Sequence, residues 1–228
     1  MNQVNWGGIN IIKVDLHVHT FFSHDSLLSF KALENILLKK GINCVAITDH
    51  NTIEGALWFK EYSKKINVII GEEIFTDKGE IIGLFLEKNI EPGLSPEETV
   101  YQIKEQGGIV YIPHPFDKDR IKSCLELEKI LSLQDEIDII ETFNSRTRQQ
   151  KFNDKAYKLC KELNKISAVG SDSHTVAEIG RSYQIIDPFN TPYEFLKNLM
   201  KAKQVSEPSP KIVHQYTRVA KRLKKLFV

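Results

Sequence analysis

Asp15-Leu16-His17-Val18-His19-Thr20 closes an apolar run that begins near Ile9, and its reading decides the fold. Side chains at i and i+2 of a strand point to one face, so a strand over 9–16 running into this stretch offers His17 and His19 to the same metal ion. The geometry recurs at Asp172-Ser173-His174, just after Ala168-Val169-Gly170. Thr48-Asp49-His50, Gly71-Glu72-Glu73 and Pro113-His114-Pro115 each follow a short run rich in Ile and Val. A buried imidazole or carboxylate costs free energy unless it coordinates or pairs. That five strand ends each deliver one points to a shared centre rather than to packing.

Between these ends the pattern alternates. Helices are expected over 29–40, with Ser29 as N-cap, Gly41 as the stop and Leu33, Ile36, Leu37 and Lys40 on the inner face, and over 54–65. Ser95-Pro96-Glu97-Glu98 and Thr191-Pro192-Tyr193-Glu194 are capping boxes that open helices to about Gly107 and Ala202. Further helices are expected at about 121–132 and 148–163. Strands are expected at 43–48, 68–70, 81–86, 109–112, 137–142, 166–170 and 183–186, with a tight turn over 76–80. Strands alternating with helices imply a mostly parallel α/β sheet, and ligands placed after nearly every strand converge only if that sheet closes into a barrel. There is no Gly-x-Gly-x-x-Gly and no phosphate loop ending in Gly-Lys-Ser/Thr.

The whole chain, 228 residues with 41% hydrophobic and 27% charged content, fits one large domain with a small appendage: a barrel over 1–204 and a basic amphipathic helix over 205–228. Six of the 31 Lys and Arg fall in 211–228, which holds no Asp or Glu, so the remainder carries 25 basic against 30 acidic residues. In that tail Ile212, Tyr216, Val219, Leu223 and Leu226 form one apolar stripe, expected to pack on the barrel. Cys44, Cys124 and Cys160 are too few and too scattered for disulfides or a thiolate metal site, and no apolar run is long enough to span a membrane. The expectation is a cytoplasmic protein.

The candidate ligands are His17, His19, Asp25, His50, Glu73, His114, Asp172 and His174. Imidazole and carboxylate without thiolate suit Mn, Zn or Fe(II). Eight ligands exceed what one ion takes, which implies two to three divalent ions with Glu73 or Asp172 as a bridge. Asp15, Asp49, Glu141 and Asn144 adjoin this set and are placed to orient its imidazoles. Arg146 and Arg181 are candidates to grip phosphate oxygens, since guanidinium offers them a bidentate fork. His24 is expected at the rim, His214 outside the chemistry, and Cys44 in the core.

Asp-Leu-His-Val-His-Thr, Ser-His-Asp-Ser, Ala-Ile-Thr-Asp-His-Asn-Thr, Gly-Glu-Glu-Ile, Pro-His-Pro and Gly-Ser-Asp-Ser-His, taken in order over about 11–187, resemble the motifs of the PHP (polymerase and histidinol phosphatase) superfamily. The resemblance implies a distorted (β/α)7 barrel, TIM-like, and a trinuclear site that hydrolyses phosphoesters. It implies one ion on His17, His19, Glu73 and Asp172, a second on Glu73 and His114, and a third on Asp25, His50 and His174. Where many relatives carry a histidine before Leu-Gly, this chain has Glu80 before Ile81-Ile82-Gly83, which is an oxygen ligand in its place or leaves the second ion weakly held.

The expected function is a metal-dependent hydrolase of phosphoric esters in which a metal-activated water attacks a small phosphomonoester, a nucleotide or a phosphorylated metabolite. Asp172, His174 and Arg181 form its catalytic set, and Phe21 or Phe116 lines the leaving group. The alternatives are a nuclease that trims oligonucleotides and a metal-bound regulatory module without turnover. Long nucleic acid is disfavoured because the body is acidic and lacks a basic track with aromatic platforms. Substrate identity and oligomeric state are not legible in the sequence.

Overall fold

The computed structural model describes residues 10–120 and 122–225. The expected start of the first strand at Ile9, the helix start at Ile121 and the end of the apolar stripe at Leu226 lie outside them. In chain order the elements are β1 (Ile12–Val18), α1 (Phe30–Lys40), β2 (Cys44–Ile47), α2 (Glu54–Tyr62), β3 (Asn67–Thr76), β4 (Gly79–Leu84), α3 (Pro96–Glu105) and β5 (Ile109–Ile112). There follow α4 (Leu127–Ser132), β6 (Ile139–Asn144), α5 (Gln150–Glu162), β7 (Ile166–Gly170), β8 (Ser182–Ile186), α6 (Pro192–Leu199), β9 (Lys203–Ser206) and α7 (Val213–Lys224). Local chemistry sets several bounds. The Ser29 side chain accepts the Ala32 N–H, and Gly41, at φ 66°, ends α1 in the left-handed conformation that glycine adopts without strain. Ser95 and Thr191 cap α3 and α6, each followed by proline.

One sheet runs in the order β7-β6-β5-β4-β3-β2-β1-β8-β9. β1, β2 and β3 are parallel, as are β5, β6 and β7, because each is followed or preceded by a helical crossover. β4 runs against both β3 and β5, since the two-residue turn Asp77-Lys78 permits only an antiparallel return. The sheet curls until its ends meet. Val18 bridges Ser173, His19 N–H donates to the Ser173 carbonyl at 2.9 Å, and Ser173 N–H donates to the His17 carbonyl at 3.3 Å. Lower down, Gln184 of β8 fills the seam with its side chain: Oε1 accepts the Val169 N–H at 3.0 Å and Nε2 donates to the Val169 carbonyl at 2.7 Å. The result is an α/β fold with a nearly closed barrel-shaped sheet, and the closing seam lies directly beside His17 and His19.

Two apolar layers follow from strand alternation. Val14, Leu16, Cys44, Ala46, Ile82, Tyr111 and Ala168 fill the barrel, plugged at the β1 N-terminal end by Phe195 and Leu199 of α6. Val45, Ile47 and Ile140 face outward onto Leu33 and Leu37 of α1, Phe59 of α2, Ile103 of α3 and Leu159 of α5. Ile36 packs at the edge of this layer, whereas Lys40 is exposed.

Some expectations are corrected. Gly71-Glu72-Glu73 does not follow a strand but lies within β3, which continues ten residues into the hairpin. α4 begins only at Leu127: residues 122–124 form a turn and a bend, and Leu125 packs into the core before the helix starts. β9 was not foreseen; its exposed, polar Lys-Gln-Val-Ser lacks an apolar alternation, and the expected division at 204/205 falls inside it. The tail is helical, but its apolar stripe does not pack on the barrel: Ile212, Tyr216, Val219 and Leu223 are exposed, while Val213, Thr217 and Ala220 are buried. Those smaller residues let the helix axis come close over Arg146, whose Nη2 donates to Thr217 Oγ1 at 2.6 Å.

Replacing Gln184 by Leu removes both partners of the buried Val169 peptide groups and is expected to cost about 2–4 kcal/mol in urea denaturation. A loss within about 0.5 kcal/mol, the range of a surface change, would show that this seam does not hold the barrel.

Candidate metal centre

Strand pleating alone would give β1 inward residues at 12, 14, 16 and 18. The β1–β2 register shifts between Asp15 and Val18, so Leu16 and His17 both belong to the interior while Val18 joins the outer layer. This irregularity re-aims His17 and His19 into the barrel mouth. A second register shift, between Glu141 and Phe143 of β6, accompanies the carboxylate that meets His17. Backbone strain also gathers here: Asn51, His114 and Asp172, each a candidate ligand or next to one, have positive φ, of 56°, 31° and 52°.

Seven of the eight candidate ligands are buried; His50 is partly exposed. Glu73 stands at the middle. Its Oε1 lies 3.0 Å from His114 Nε2 and 3.4 Å from His17 Nε2, and its Oε2 lies 3.2 Å from His50 Nδ1 and 3.3 Å from His19 Nε2. Asp172 Oδ1 is 3.5 Å from His19 Nε2, and Asp25 Oδ1 is 3.1 Å from His174 Nε2 and 3.6 Å from His50 Nε2. Glu80, delivered by the hairpin, sits 3.5 Å from His50 and 3.8 Å from His114. Three triads, His17/His19/Glu73, His19/His50/His174 and His50/Glu73/Glu80, each bring their donor atoms within 4.8 Å of one another.

The surroundings fix the tautomers. His17 Nδ1 faces Glu141 Oε1 at 3.0 Å, and a carboxylate accepts, so that nitrogen carries the proton. His174 Nδ1 likewise donates to the Asp172 carbonyl at 2.9 Å. Ser23 Oγ spends its proton on Asp49 at 2.7 Å and therefore accepts from His19 Nδ1 at 3.0 Å. In all three rings Nε2 is left facing the cup, where it carries either a proton or a lone pair for a metal ion. The Nε2 atoms of His17 and His19, with Asp25 Oδ1, Glu73 Oε2 and Asp172 Oδ1, are buried without a hydrogen-bond partner. Such an array is costly in a protein interior and suits divalent cations with nitrogen and oxygen ligands.

The charges say the same. Burial opposes protonation of His17, yet Asp172, Glu73 and Glu141 outweigh it and hold the ring well above its ordinary range. For His50, burial is again overcome, by Asp25 and Glu73, and its pKa is pushed up to about 10. His19 goes the other way: burial, with His174 and His50 alongside, pushes it well below. Burial and the Glu73 charge raise Glu80. The cup thus holds an excess of carboxylate that draws positive charge.

Behind the candidate ligands, Glu141 accepts from His17 Nδ1, Tyr111 OH, the His114 N–H and Asn144 Nδ2, all within 3.0 Å. Asp49 accepts from Thr20 and Ser23 and so holds the loop that carries His19, while Asp15 accepts the Ser171 N–H. Gly170 is needed at this point, since a Cβ there would lie 2.1 Å from Glu141 Oε1 and 2.8 Å from His17 Cβ.

Above the cup a cavity of about 550 Å³ opens between the barrel mouth and α7. Arg181 is not there: it turns away, its Nε donating to the Ala177 carbonyl and Nη1 to that of Pro208, with Glu207 nearby. Arg146 is buried at the wall, paired with Glu178 at 3.2 Å and bonded to Thr217. The arginine nearest the ligands is one the sequence did not single out. Arg120 lines the cavity, with Nη2 2.5 Å from Asp172 Oδ2 and Nε 3.2 Å from Asp117. It lies in an aperiodic loop, and its only signal was the run Pro113-His114-Pro115-Phe116-Asp117 just ahead of it. His24 and His214 also line the cavity, the latter against expectation, and Phe75 does so rather than Phe21 or Phe116.

The family model of the PHP domain matches residues 15–168, and that of a PHP-associated region matches 150–203. The chain belongs to the PHP family. It is 43% identical over 166 residues to the uncharacterized protein MJ1587 of Methanocaldococcus jannaschii, covering 67% of this chain and 94% of that one. With MJ0417 of the same organism it shares 38% identity over 205 residues, 84% of this chain and 80% of that one. Among solved structures, a two-domain protein from Bacteroides vulgatus, described as containing a predicted PHP-like metal-dependent phosphoesterase, superposes with a TM-score of 0.72 at 17% identity, over 90% of this chain and 68% of that one. The distorted barrel is therefore the PHP fold.

Glu141→Gln keeps the volume but offers an amide where His17, Tyr111 and Asn144 need an acceptor, and it is expected to weaken Mn or Zn binding by about 10- to 100-fold in calorimetric titration. Unchanged affinity would mean that Glu141 does not orient the cluster.

Proposed function

We propose that this PHP chain is a metal-dependent phosphoesterase that hydrolyses a small phosphomonoester. The observation that carries the reading is the convergence of three imidazoles with fixed tautomers and three carboxylates on one buried cup beneath a cavity lined by cations. His17, His19, Glu73 and Asp172 would hold one ion, His114 with Glu73 and Glu80 a second, and Asp25, His50 and His174 a third. Such ions neutralise phosphoryl oxygens and make a water nucleophilic near neutral pH.

The chain's own groups do the remaining work. Arg120, held by Asp117 and Asp172, leaves Nη1 without a protein partner among the described residues, and takes the role first given to Arg181: it fixes a phosphoryl oxygen over the cup. Tying Asp172 Oδ2 to Arg120 and to Asn144 Nδ2 at 3.1 Å leaves Oδ1 turned to the histidines. Arg146 fastens α7 through Thr217 and serves the wall rather than the reacting group. α7 roofs the barrel mouth, which suits a small molecule better than an extended strand.

The test is a panel of phosphomonoesters, phosphodiesters and a single-stranded oligonucleotide, with protein reconstituted in Mn, Zn or Fe(II). Phosphomonoester turnover lost on chelation, and lowered about 100-fold or more by Asp172→Ala or His174→Ala with Tm preserved, is the expected result. Preferred cleavage of the oligonucleotide would favour a nuclease, and wild-type turnover in both variants would refute the site.

A further inference from the structure

α7 lies beyond the residues matched by either family model, and different sectors of its surface have different tasks. Val213, Thr217 and Ala220 pack on the barrel. Lys224 Nζ donates to the carbonyls of Phe21 and Ser23, and Lys221 Nζ stands 3.4 Å from Asp25 Oδ2, so the helix is fastened at both the wall and the ligand loop. The next sector, with His214 and Arg218, lines the cavity, as do Arg148 from the segment after β6 and Lys122 from the turns before α4.

The cations around this cavity fall into two groups. Arg120, Arg146 and Lys221 are each paired with a carboxylate. Among the described residues Arg148, Arg218 and Lys122 have no ion pair, and Asp119 is the one carboxylate beside them at the mouth that is likewise unpaired. Like charges gathered without counter-ions repel, and an anion placed among them relieves this. The half-buried His214 lines the same cavity, and burial, followed by the charges of Arg146 and Arg148, pushes its pKa down to about 4.

We propose that Arg148, Arg218 and Lys122 form a second anion subsite at the cavity mouth, which holds a further phosphate-like oxyanion group of the substrate, apart from the group at the metal cup. What occupies the cup rests on the phosphoesterase reading. α7 is then a specificity element: it supplies Arg218 to a subsite whose other cations come from the barrel.

Non-hydrolysable probes separate the two claims. Calorimetric titration of the Mn-reconstituted full chain with propane-1,3-bisphosphonate and with propylphosphonate should give a Kd ratio of about tenfold or more in favour of the bisphosphonate, the value of one added charge-assisted contact. The Arg148→Ala/Arg218→Ala double variant, which changes two exposed side chains, should bring that ratio close to one, and each single variant part of the way. Arg222→Ala, which removes the same charge from α7 away from the cavity lining, should keep the wild-type ratio. No wild-type preference, an unchanged ratio in the double variant, or an equal loss in Arg222→Ala would overturn the subsite. A ratio that collapses as expected in a protein that hydrolyses no phosphoester would leave the subsite standing and remove the phosphoesterase reading instead.

Discussion

Glu73 is the constraint on which the rest depends. Four imidazoles, from His17, His19, His50 and His114, lie within 3.4 Å of its two oxygens, and it is almost wholly buried. A carboxylate so enclosed costs several kcal/mol unless charge comes to meet it. Glu73 sits inside β3 rather than in a loop, so its position is set by ladder bonds on both sides, to β2 before it and to β4 beside it. The other candidate ligands are brought to it by departures from regularity: a shifted register in β1, another in β6, and left-handed backbone at His114 and Asp172. Barrel closure at Val18 and Ser173 completes the cup by bringing Asp172 and His174 beside His17 and His19. Fold and site are thus one construction, since the hydrogen bonds that close the barrel position the donor atoms.

Much of this was legible in the sequence because its signals are local. His17-Val18-His19 and Asp172-Ser173-His174 declare themselves by spacing, Ser29 and Gly41 by capping chemistry, and the β3–β4 hairpin by its turn. What was not legible depends on register and on distance. No residue type announces a bulge, so alternation puts His17 and His19 on one face but does not reveal the register shift by which Leu16 and His17 both face the interior. Arg120 reaches Asp172 across 52 residues from a loop without periodicity, whereas Arg181, closer in sequence to Asp172, turns outward to the carbonyls of Ala177 and Pro208.

The tail shows where pattern reading misleads. Its most regular apolar stripe suggested a buried face, yet the helix turns Val213, Thr217 and Ala220 inward. Close approach and polar anchoring decide the matter: Arg146 holds Thr217, Lys224 holds two backbone carbonyls, and Lys221 meets Asp25. With these contacts made, Arg218 and Lys221 of the basic tail become part of the wall of the cavity. The formal charge split between an acidic body and a basic tail is in space a juxtaposition, with the carboxylates of the cup below and cations above.

On this proposal, the donor atoms of the cup lack protein partners because they hold metal ions. Elemental analysis of protein purified without chelator and reconstituted with Mn or Zn measures this directly. Two or three ions per chain, falling to one or fewer when Glu73 is replaced by Gln in a protein that still folds, is the result expected of a ligand shared between ions. One ion or fewer per wild-type chain after reconstitution would contradict it.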